Sequence, residues 1–354
     1  MKKILALVLA LCTVFALCAC GSTPAPAATE APAEADAPAE GDAPADAPAG
    51  KVKIGMVTDV GGVNDKSFNQ TSWEGLQALD PEVFEVNYLE SKTDADYQTN
   101  INTFIDEDYD LIICVGYMLA DATREAAEAN PDQYFAIIDD DTIDLPNVAC
   151  LMFAQEQASY LVGLVAGSVT ETKTVGYVQG MVSESMNLFG IGFISGVLEA
   201  CPDATVLQYN ANAFGDIAGG STAAKDMITK GADVIYHAAG GTGIGVITAC
   251  DEEGIWAIGV DTDQAPQAPD HVLTSAMKRV DVASQDIAQA VAEGNFTAGI
   301  HMYDLNNGGV DLAPTRDHIP ADVLETVEAA KAAIIAGEKT VPTTVEECPQ
   351  FTLS

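Results

Sequence analysis

Short runs of apolar, often β-branched residues alternate along this chain with longer segments in which apolar residues recur at helical spacing. Such alternation is typical of βαβ units, in which parallel strands form the centre of an α/β domain. Between residues 51 and 154 the predicted strands are 52–58, 83–89, 111–115 and 134–138, and the predicted helices are 67–79, 96–107 and 120–130. This part of the chain is expected to form one domain.

The same rhythm restarts after residue 154. The predicted helices there are 155–168, 187–199, 219–230 and 245–253, and the predicted strands are 174–179, 205–209, 234–237 and 256–260. The later strands 273–277 and 301–305 and helices 282–293 and 321–336 indicate a chain that crosses back between two domains. We therefore predict an α/β fold with two doubly wound parallel-sheet lobes, a multi-strand hinge and a cleft. The expected lobes are 51–154 plus about 279–303, and 155–278 plus about 304–354.

The amino terminus has a different pattern. Two lysines precede an apolar run at 4–17, which is typical of a secretory signal and is shorter than the roughly 20 apolar residues that cross a bilayer. The run ends in LCACG at 17–21, which resembles a bacterial lipobox. Residues 1–19 are therefore predicted to be a lipoprotein signal peptide and Cys20 the lipidated residue, with an ordinary cleaved signal as the alternative.

Residues 22–50 consist almost entirely of Ala, Pro, Gly, Ser, Thr, Asp and Glu. A segment without aromatic or branched aliphatic residues cannot offset its ordering entropy, so 20–50 is predicted to be a disordered tether. No other apolar run is long enough to span a membrane. The chain is expected to be lipid-anchored on the extracytoplasmic face of the cell membrane, in a cell without an outer membrane.

The charge of the chain bears on its partners. It carries 53 acidic and 15 basic residues, a formal net charge of −38. Such a field repels phosphate backbones, so nucleic acid is excluded as an expected partner.

The cysteines and histidines provide no metal or redox motif. There is no CxxC pair and no histidine at ligand spacing, so neither a metal nor another cofactor is expected. Cys114 lies in an apolar run and is interpreted as a small buried hydrophobe. After the predicted tether the cysteines are Cys114, Cys150, Cys201, Cys250 and Cys348, among which one or two disulfides remain an open alternative.

Candidate chemistry lies in the loops that follow the predicted strands, because ligands of parallel sheets bind beyond the carboxyl ends of the strands. In the first loop Asp59 can accept ligand donors, and Phe68 can stack on a planar ring or pack in the core. Asp65 and Ser67 are more typical of helix caps.

Two later strand ends carry further candidates. Gly240 and Gly241 lie in a strand-to-helix turn whose free backbone N–H groups can bind anions or hydroxyls. The turn matches neither a Walker loop nor a dinucleotide fingerprint. Asp261 and Lys278 follow two other strands, and a carboxylate beside a lysine suits a vicinal diol. A structural ion pair across the hinge is the alternative.

Four longer segments, TDVGGVNDKSFNQTSWEGL, GADVIYHAAGGTGIGV, WAIGVDTDQ and VLTSAMKRVD, resemble the basic membrane lipoprotein (PnrA-like) family. The resemblance covers nearly all of the chain after residue 51. It implies a type I periplasmic-binding fold, a purine nucleoside held between the lobes, and an ABC permease and ATPase as partners of a monomeric receptor.

The resemblance also implies roles for individual residues. It assigns Asp59 and Asn64 to the ligand loop, Phe68 to the base, Asp139 to the base edge, Gly240 and Gly241 to the ribose side, and Asp261 and Lys278 to the ribose hydroxyls. Either Tyr236 or His237 is expected to stack on the other face of the base. The segment NANAFGDIAGG at 210–220 departs from the glycine-serine-phenylalanine loop usual in the family.

Two competing hypotheses remain. One is a nucleoside-cleaving enzyme, although the sequence contains no aspartate-rich metal-binding start and its histidines are scattered, so no catalytic residue is assigned. The other is a surface sensor or adhesin that keeps the cleft and has no transporter.

Overall fold

The computed structural model describes residues 50–353. Cys20 and the predicted signal peptide lie outside the described residues, as does all but the last residue of the predicted tether. The described residues form two six-stranded sheets, and elements are numbered here in chain order.

The first lobe is built around a wholly parallel sheet in the order β11-β5-β4-β3-β1-β2. Its strands are β1 (Val52–Val57), β2 (Phe84–Leu89), β3 (Leu111–Cys114), β4 (Tyr134–Ile138), β5 (Val148–Phe153) and β11 (Gly299–Tyr303). Its helices are α1 (Phe68–Gln77), α2 (Tyr97–Asp106), α3 (Ala120–Ala129) and α8 (Val280–Ala292). Alternate residues of β1 enter separate apolar clusters on the two faces of the sheet, so the sheet is covered on both sides.

The second lobe has the sheet order β12-β10-β9-β8-β6-β7. Its strands are β6 (Thr174–Gln179), β7 (Thr205–Asn210), β8 (Val234–Ala238), β9 (Trp256–Asp261), β10 (Val272–Lys278) and β12 (Val310–Leu312), the last antiparallel to its neighbour. Its helices are α4 (Gln155–Val169), α5 (Glu184–Ala200), α6 (Ile217–Thr229), α7 (Thr242–Glu253) and α9 (Ala321–Ile335). Helices α4 and α5 approach closely, since a Cβ at Gly163 would lie 2.2 Å from the Phe193 carbonyl oxygen.

The chain passes between the two sheets three times. It crosses at Ala154 between β5 and α4, at Arg279 between β10 and α8, and at residues 304–309 between β11 and β12. The predicted fold, two doubly wound lobes joined by a multi-strand hinge, is confirmed. Strands β5 and β12 were not predicted from the sequence, because β5 follows β4 without an intervening helix and β12 has only three residues.

Two further expectations concern the described residues. All five cysteines there are free thiols and four of them are buried, including Cys114. Among residues 50–353 no helix is both long and apolar enough to cross a membrane.

Candidate functional site

A pocket lies between the lobes, where strands of both sheets end. It encloses about 490 Å³ of empty space, including its opening. The first-lobe wall consists of Asp59, Asp65, Phe68, Asn69, Gly116, Tyr117 and Asp139, and the second-lobe wall consists of Met186, Phe189, Phe214, Ala238, Ala239, Gly240, Val260, Asp261 and Lys278. Several of these residues follow or end strands β1, β4, β8, β9 and β10, which is where ligands of open parallel sheets bind.

A hydrogen-bonded network within one lobe builds part of the first-lobe wall. Asn69 Nδ2 donates to Asp59 Oδ1 at 2.8 Å and to Asp65 Oδ2 at 3.0 Å. Asp59 Oδ1 also accepts from the backbone N–H of Gly61 at 2.8 Å. Asp65 accepts three backbone N–H groups at the start of α1, so it caps this helix as the sequence indicated.

Contacts across the cleft complete the pocket. The Ser67 hydroxyl donates to Asp261 Oδ2. Lys278 is 1 % exposed, and its ammonium group donates to Asp139 Oδ2 at 2.5 Å. The same ammonium lies 4.9 Å from the centre of the Phe68 ring, within the range of a cation–π contact.

The backbone at two strand ends is strained. Asp139 and Asp261 have φ angles of 68° and 66°, in the left-handed region that few non-glycine residues adopt. Such conformations persist where the surrounding structure fixes them and they cluster at ligand sites. Here they place two carboxyl groups on opposite lobes beside one lysine.

The electrostatic balance of the pocket is acidic. Four carboxyl groups and one ammonium group line it. Burial raises the pKa of Asp59 to about 7 and, against the opposing effect of Lys278, raises the pKa of Asp261 to about 7. Asp139 Oδ1 is buried without a hydrogen-bond partner among the described residues. A ligand that donates hydrogen bonds would satisfy these acceptors.

Six of the residues predicted from the sequence line the pocket, namely Asp59, Phe68, Asp139, Gly240, Asp261 and Lys278. Asn64 and Gly241 do not. The Asn64 side chain is exposed on the loop before α1, and Gly241 begins the turn into α7 behind the lining residue Gly240.

Tyr236 and His237, one of which was expected to face the base, do not line this pocket. Strand β8 lies in the middle of its sheet, so both residues are wholly buried. The Tyr236 ring packs 5.0 Å from that of Phe193, and its hydroxyl lies 3.0 Å from Ser159 Oγ. His237 Nε2 lies 2.9 Å from Gln264 Oε1, and burial lowers the pKa of His237 to about 4.

Several lining residues were not assigned a role from the sequence. The second lobe brings two aromatic side chains to the pocket, Phe189 on α5 and Phe214, and Phe214 lies in the segment 210–220 that departs from the family pattern. Asn69 and Tyr117 in the first lobe, and Met186 and Phe189 on α5, were also not assigned. The only available signal was position, since Asn69 adjoins Phe68 and Phe214 lies in a loop that follows β7.

Comparisons with known proteins agree with this geometry. Residues 51–345 match the family model described as ABC transporter substrate-binding protein PnrA-like. The CD4+ T-cell-stimulating antigen of Listeria monocytogenes is 41 % identical over 312 residues, which cover 82 % of this chain and 87 % of that protein. The ABC transporter nucleoside-binding protein BmpA of Lactococcus lactis subsp. cremoris is 37 % identical, with 82 % and 89 % covered.

A solved structure of another solute-binding protein has a similar fold. An ABC transporter system solute-binding protein from Aeropyrum pernix superposes with a TM-score of 0.77 at 26 % identity, covering 83 % of this chain and 95 % of that one. The match of the family model spans both lobes and every residue of the pocket. The chain therefore belongs to the PnrA-like family of ABC transporter substrate-binding proteins.

Proposed function

We propose that this chain captures a purine nucleoside in the interlobe pocket and delivers it to an ABC permease. The observation that carries the proposal is the convergence of aromatic rings from both lobes with four carboxyl groups and a lysine in a single pocket between the lobes. The Lactococcus relative is named a nucleoside-binding protein, which supports the same ligand class.

Two aromatic rings account for the base. In this proposal the base lies between Phe68 of the first lobe and Phe214 of the second, since flat aromatic faces stack favourably on planar rings. Asp139 Oδ1, buried and without a partner, would accept a hydrogen bond from the edge of the base. A purine offers a larger stacking surface than a pyrimidine, which is why we favour it.

Charged groups account for the ribose. The Asp261 carboxylate would accept hydrogen bonds from the vicinal hydroxyls, and Lys278 would hold that carboxylate ionised, since the lysine charge lowers the pKa of Asp261. Asp59 would accept a further hydroxyl, and the backbone at Gly240 allows close approach of the sugar.

Calorimetric titration of the ligand-free protein with inosine, guanosine, adenosine and ribose tests this proposal. Purine nucleosides should bind with one site per chain, and ribose should bind far more weakly because it lacks the stacking surface. Ligand recovered after incubation should be intact, without free base. The proposal fails if no nucleoside gives heat.

A pair of variants tests the stacking role. Phe214→Ala should weaken inosine binding about 30-fold, in line with the roughly 1–3 kcal/mol that stacking of a base contributes. Tyr209→Ala is the matched control, because Tyr209 is an aromatic residue of the same lobe that is 43 % exposed and lies outside the pocket. Equal affinities for the two variants would contradict stacking on Phe214.

We also propose that Cys20 anchors the receptor to the membrane. A binding protein tethered by lipid stays within reach of its permease, and stable anchoring requires at least two acyl chains. Cys20→Ala should release the protein into the medium and leave its affinity for inosine unchanged. Retention of the variant in the membrane fraction would contradict lipidation at this position.

A further inference from the structure

Gln264 lies in the second lobe, three residues after the end of β9, and is outside the pocket lining. It is 1 % exposed, and its carbonyl end is fixed within its own lobe. Gln264 Oε1 accepts from the backbone N–H of Val260 at 3.0 Å and lies 2.9 Å from His237 Nε2. Its backbone N–H donates to Ser275 Oγ at 3.0 Å. The two contacts of Oε1 orient the side chain without any ligand.

The amide end of the same side chain reaches the other lobe. Gln264 Nε2 donates to the backbone carbonyl of Lys66 at 2.8 Å. Lys66 has a φ of 56°, an unusual backbone conformation that precedes Ser67, whose hydroxyl donates to Asp261. Two adjacent residues of the first lobe, Lys66 and Ser67, thus bond to Gln264 and Asp261 in the second lobe.

The other cross-lobe contacts described above, Ser67 with Asp261 and Lys278 with Asp139, each use at least one side chain that lines the pocket. A ligand bound there would alter them. The Gln264 contact lies behind Asp261 and involves no pocket-lining residue, so it can form whenever the lobes are closed.

We infer that Gln264 is a positioning residue that acts as a closure latch. Its carbonyl end is held by β8 and β9, and its amide end bonds to Lys66 only when the lobes meet. The latch stabilises the closed form without touching the ligand, so it contributes to retention of the ligand between capture and delivery. This role concerns any ligand of the pocket and does not depend on the proposed nucleoside.

Gln264→Glu tests the latch. The substitution keeps an oxygen for Val260 and His237 and places a second oxygen, instead of an N–H donor, against the Lys66 carbonyl. With inosine as the probe, we expect Kd to rise about tenfold at pH 8, mainly through faster dissociation, because a missing donor leaves a carbonyl unpaired. The urea midpoint of the ligand-free variant should stay near that of the wild type.

The pH profile separates a latch from a merely structural role. A protonated carboxyl group at position 264 can donate to Lys66, so the ratio of the Kd of the variant to that of the wild type should shrink between pH 8 and pH 5.5. The surrounding titratable groups are the same in both proteins; they are Asp65, Lys66, His237, Asp261 and Asp263. A ratio that stays constant with pH would contradict donation at this position.

Ser275→Ala is the matched control, because it removes a bond to Gln264 inside the second lobe and leaves the cross-lobe bond in place. It should lower stability slightly and leave dissociation unchanged. If both variants lose affinity equally, Gln264 only supports the fold and the latch is refuted.

X-ray scattering keeps the test independent of the nucleoside proposal. If the wild type fails to bind inosine, the proposed function fails, and the radius of gyration of the ligand-free proteins then tests the latch. The bond from Gln264 to Lys66 needs no ligand, so it should raise the share of closed molecules in the ligand-free wild type. Gln264→Glu should have a larger radius than the wild type and Ser275→Ala the same radius. Equal radii for all three proteins would refute the latch.

Discussion

The two walls of the interlobe pocket satisfy their polar groups in different ways. In the first-lobe wall, Asp59 and Asp65 obtain hydrogen bonds from Asn69 and from nearby backbone N–H groups of the same lobe. In the second-lobe wall, Asp261 and Lys278 bond to side chains of the opposite lobe. One wall is largely built within its own lobe, whereas the other is completed by closure.

This difference separates two kinds of effect. A change in the network of the first-lobe wall acts on the lobe itself, so it should alter the stability of the ligand-free protein. A change in the cross-lobe contacts acts only when the lobes meet, so it should alter affinity and closure. The predictions below test this separation with inosine as the probe ligand.

Lys278→Met should have the largest effect. Closure would then bury Asp139 without its cation, and removal of one partner of a buried ion pair costs about 3–5 kcal/mol. The open lobes hydrate Asp139, so the cost falls on binding. We expect inosine affinity, measured by calorimetry, to fall at least 100-fold, with little change in the urea midpoint of the ligand-free protein.

Lys331→Met is the matched control for this prediction. Lys331 also pairs with an aspartate, Asp311, at 2.6 Å, but both side chains are partly exposed, within one lobe and outside the pocket. Exposed pairs contribute about 0–1 kcal/mol. A similar loss of affinity in both variants would contradict a role specific to the buried pair.

Asn69→Ala should have the next largest effect on affinity and the largest effect on ligand-free stability. The change leaves Asp59 and Asp65 without their shared donor, and a lost partner of a buried polar group costs about 1–3 kcal/mol. We expect a loss of about 2 kcal/mol in the free energy of unfolding and about a tenfold loss of inosine affinity.

The control for Asn69 is its neighbour on α1. Gln70→Ala removes only an exposed side-chain bond to Glu74 and should change neither quantity measurably. If Asn69→Ala lowers affinity and leaves the urea midpoint unchanged, the first-lobe wall is not built before closure and the comparison of the two walls is wrong.

Much of the fold was predictable from the alternation of apolar runs. Strand β5 was not predicted, because βαβ units place a helix between successive strands and β4 leads into β5 through a loop. Strand β12 was not predicted because three residues are too few to show an alternation of apolar and polar positions. Its pairing with β10 identifies it as a strand. Local pattern therefore predicted the elements that follow the βαβ rhythm and not those defined by tertiary pairing.

The candidate site was predictable where a residue directly follows a strand. Asp59, Asp139 and Lys278 were identified from that position alone or with the family resemblance. One of Tyr236 and His237 was expected to stack on the base, but a central strand is buried on both faces, and both side chains lie in the core. The sequence did not reveal that Phe214 lines the pocket. Phe214 lies in the loop between β7 and α6, and the course of this loop depends on tertiary contacts.

The smallest expected effect is a dependence of inosine affinity on pH, which should come from Asp59 in the first-lobe wall and not from Asp261 in the second-lobe wall. Burial raises the pKa of Asp59 to about 7, against the opposing effect of its hydrogen bonds from Asn69 and Gly61. Its carboxyl group also packs against Gly116 of its own lobe, so we expect this burial, and with it the raised pKa, to persist when the lobes open. Asp261 owes its burial partly to closure and should be ionised in the open form at pH 6. A ligand hydroxyl that donates to Asp59 prefers the carboxylate, so protonation as the pH falls opposes binding.

Inosine Kd should therefore rise about fivefold between pH 8 and pH 6 in the wild type, on the scale set by a pKa near 7. Asp261→Asn should lower affinity at every pH and keep this dependence, whereas Asp59→Asn should abolish it because the group that titrates is gone. Calorimetry in two buffers of different ionisation enthalpy should detect proton release on binding in the wild type at pH 6 and none in Asp59→Asn. If the pH dependence instead disappears in Asp261→Asn, Asp261 has a raised pKa already in the open form. The first-lobe wall and the second-lobe wall would then not differ in how their carboxyl groups are buried before closure.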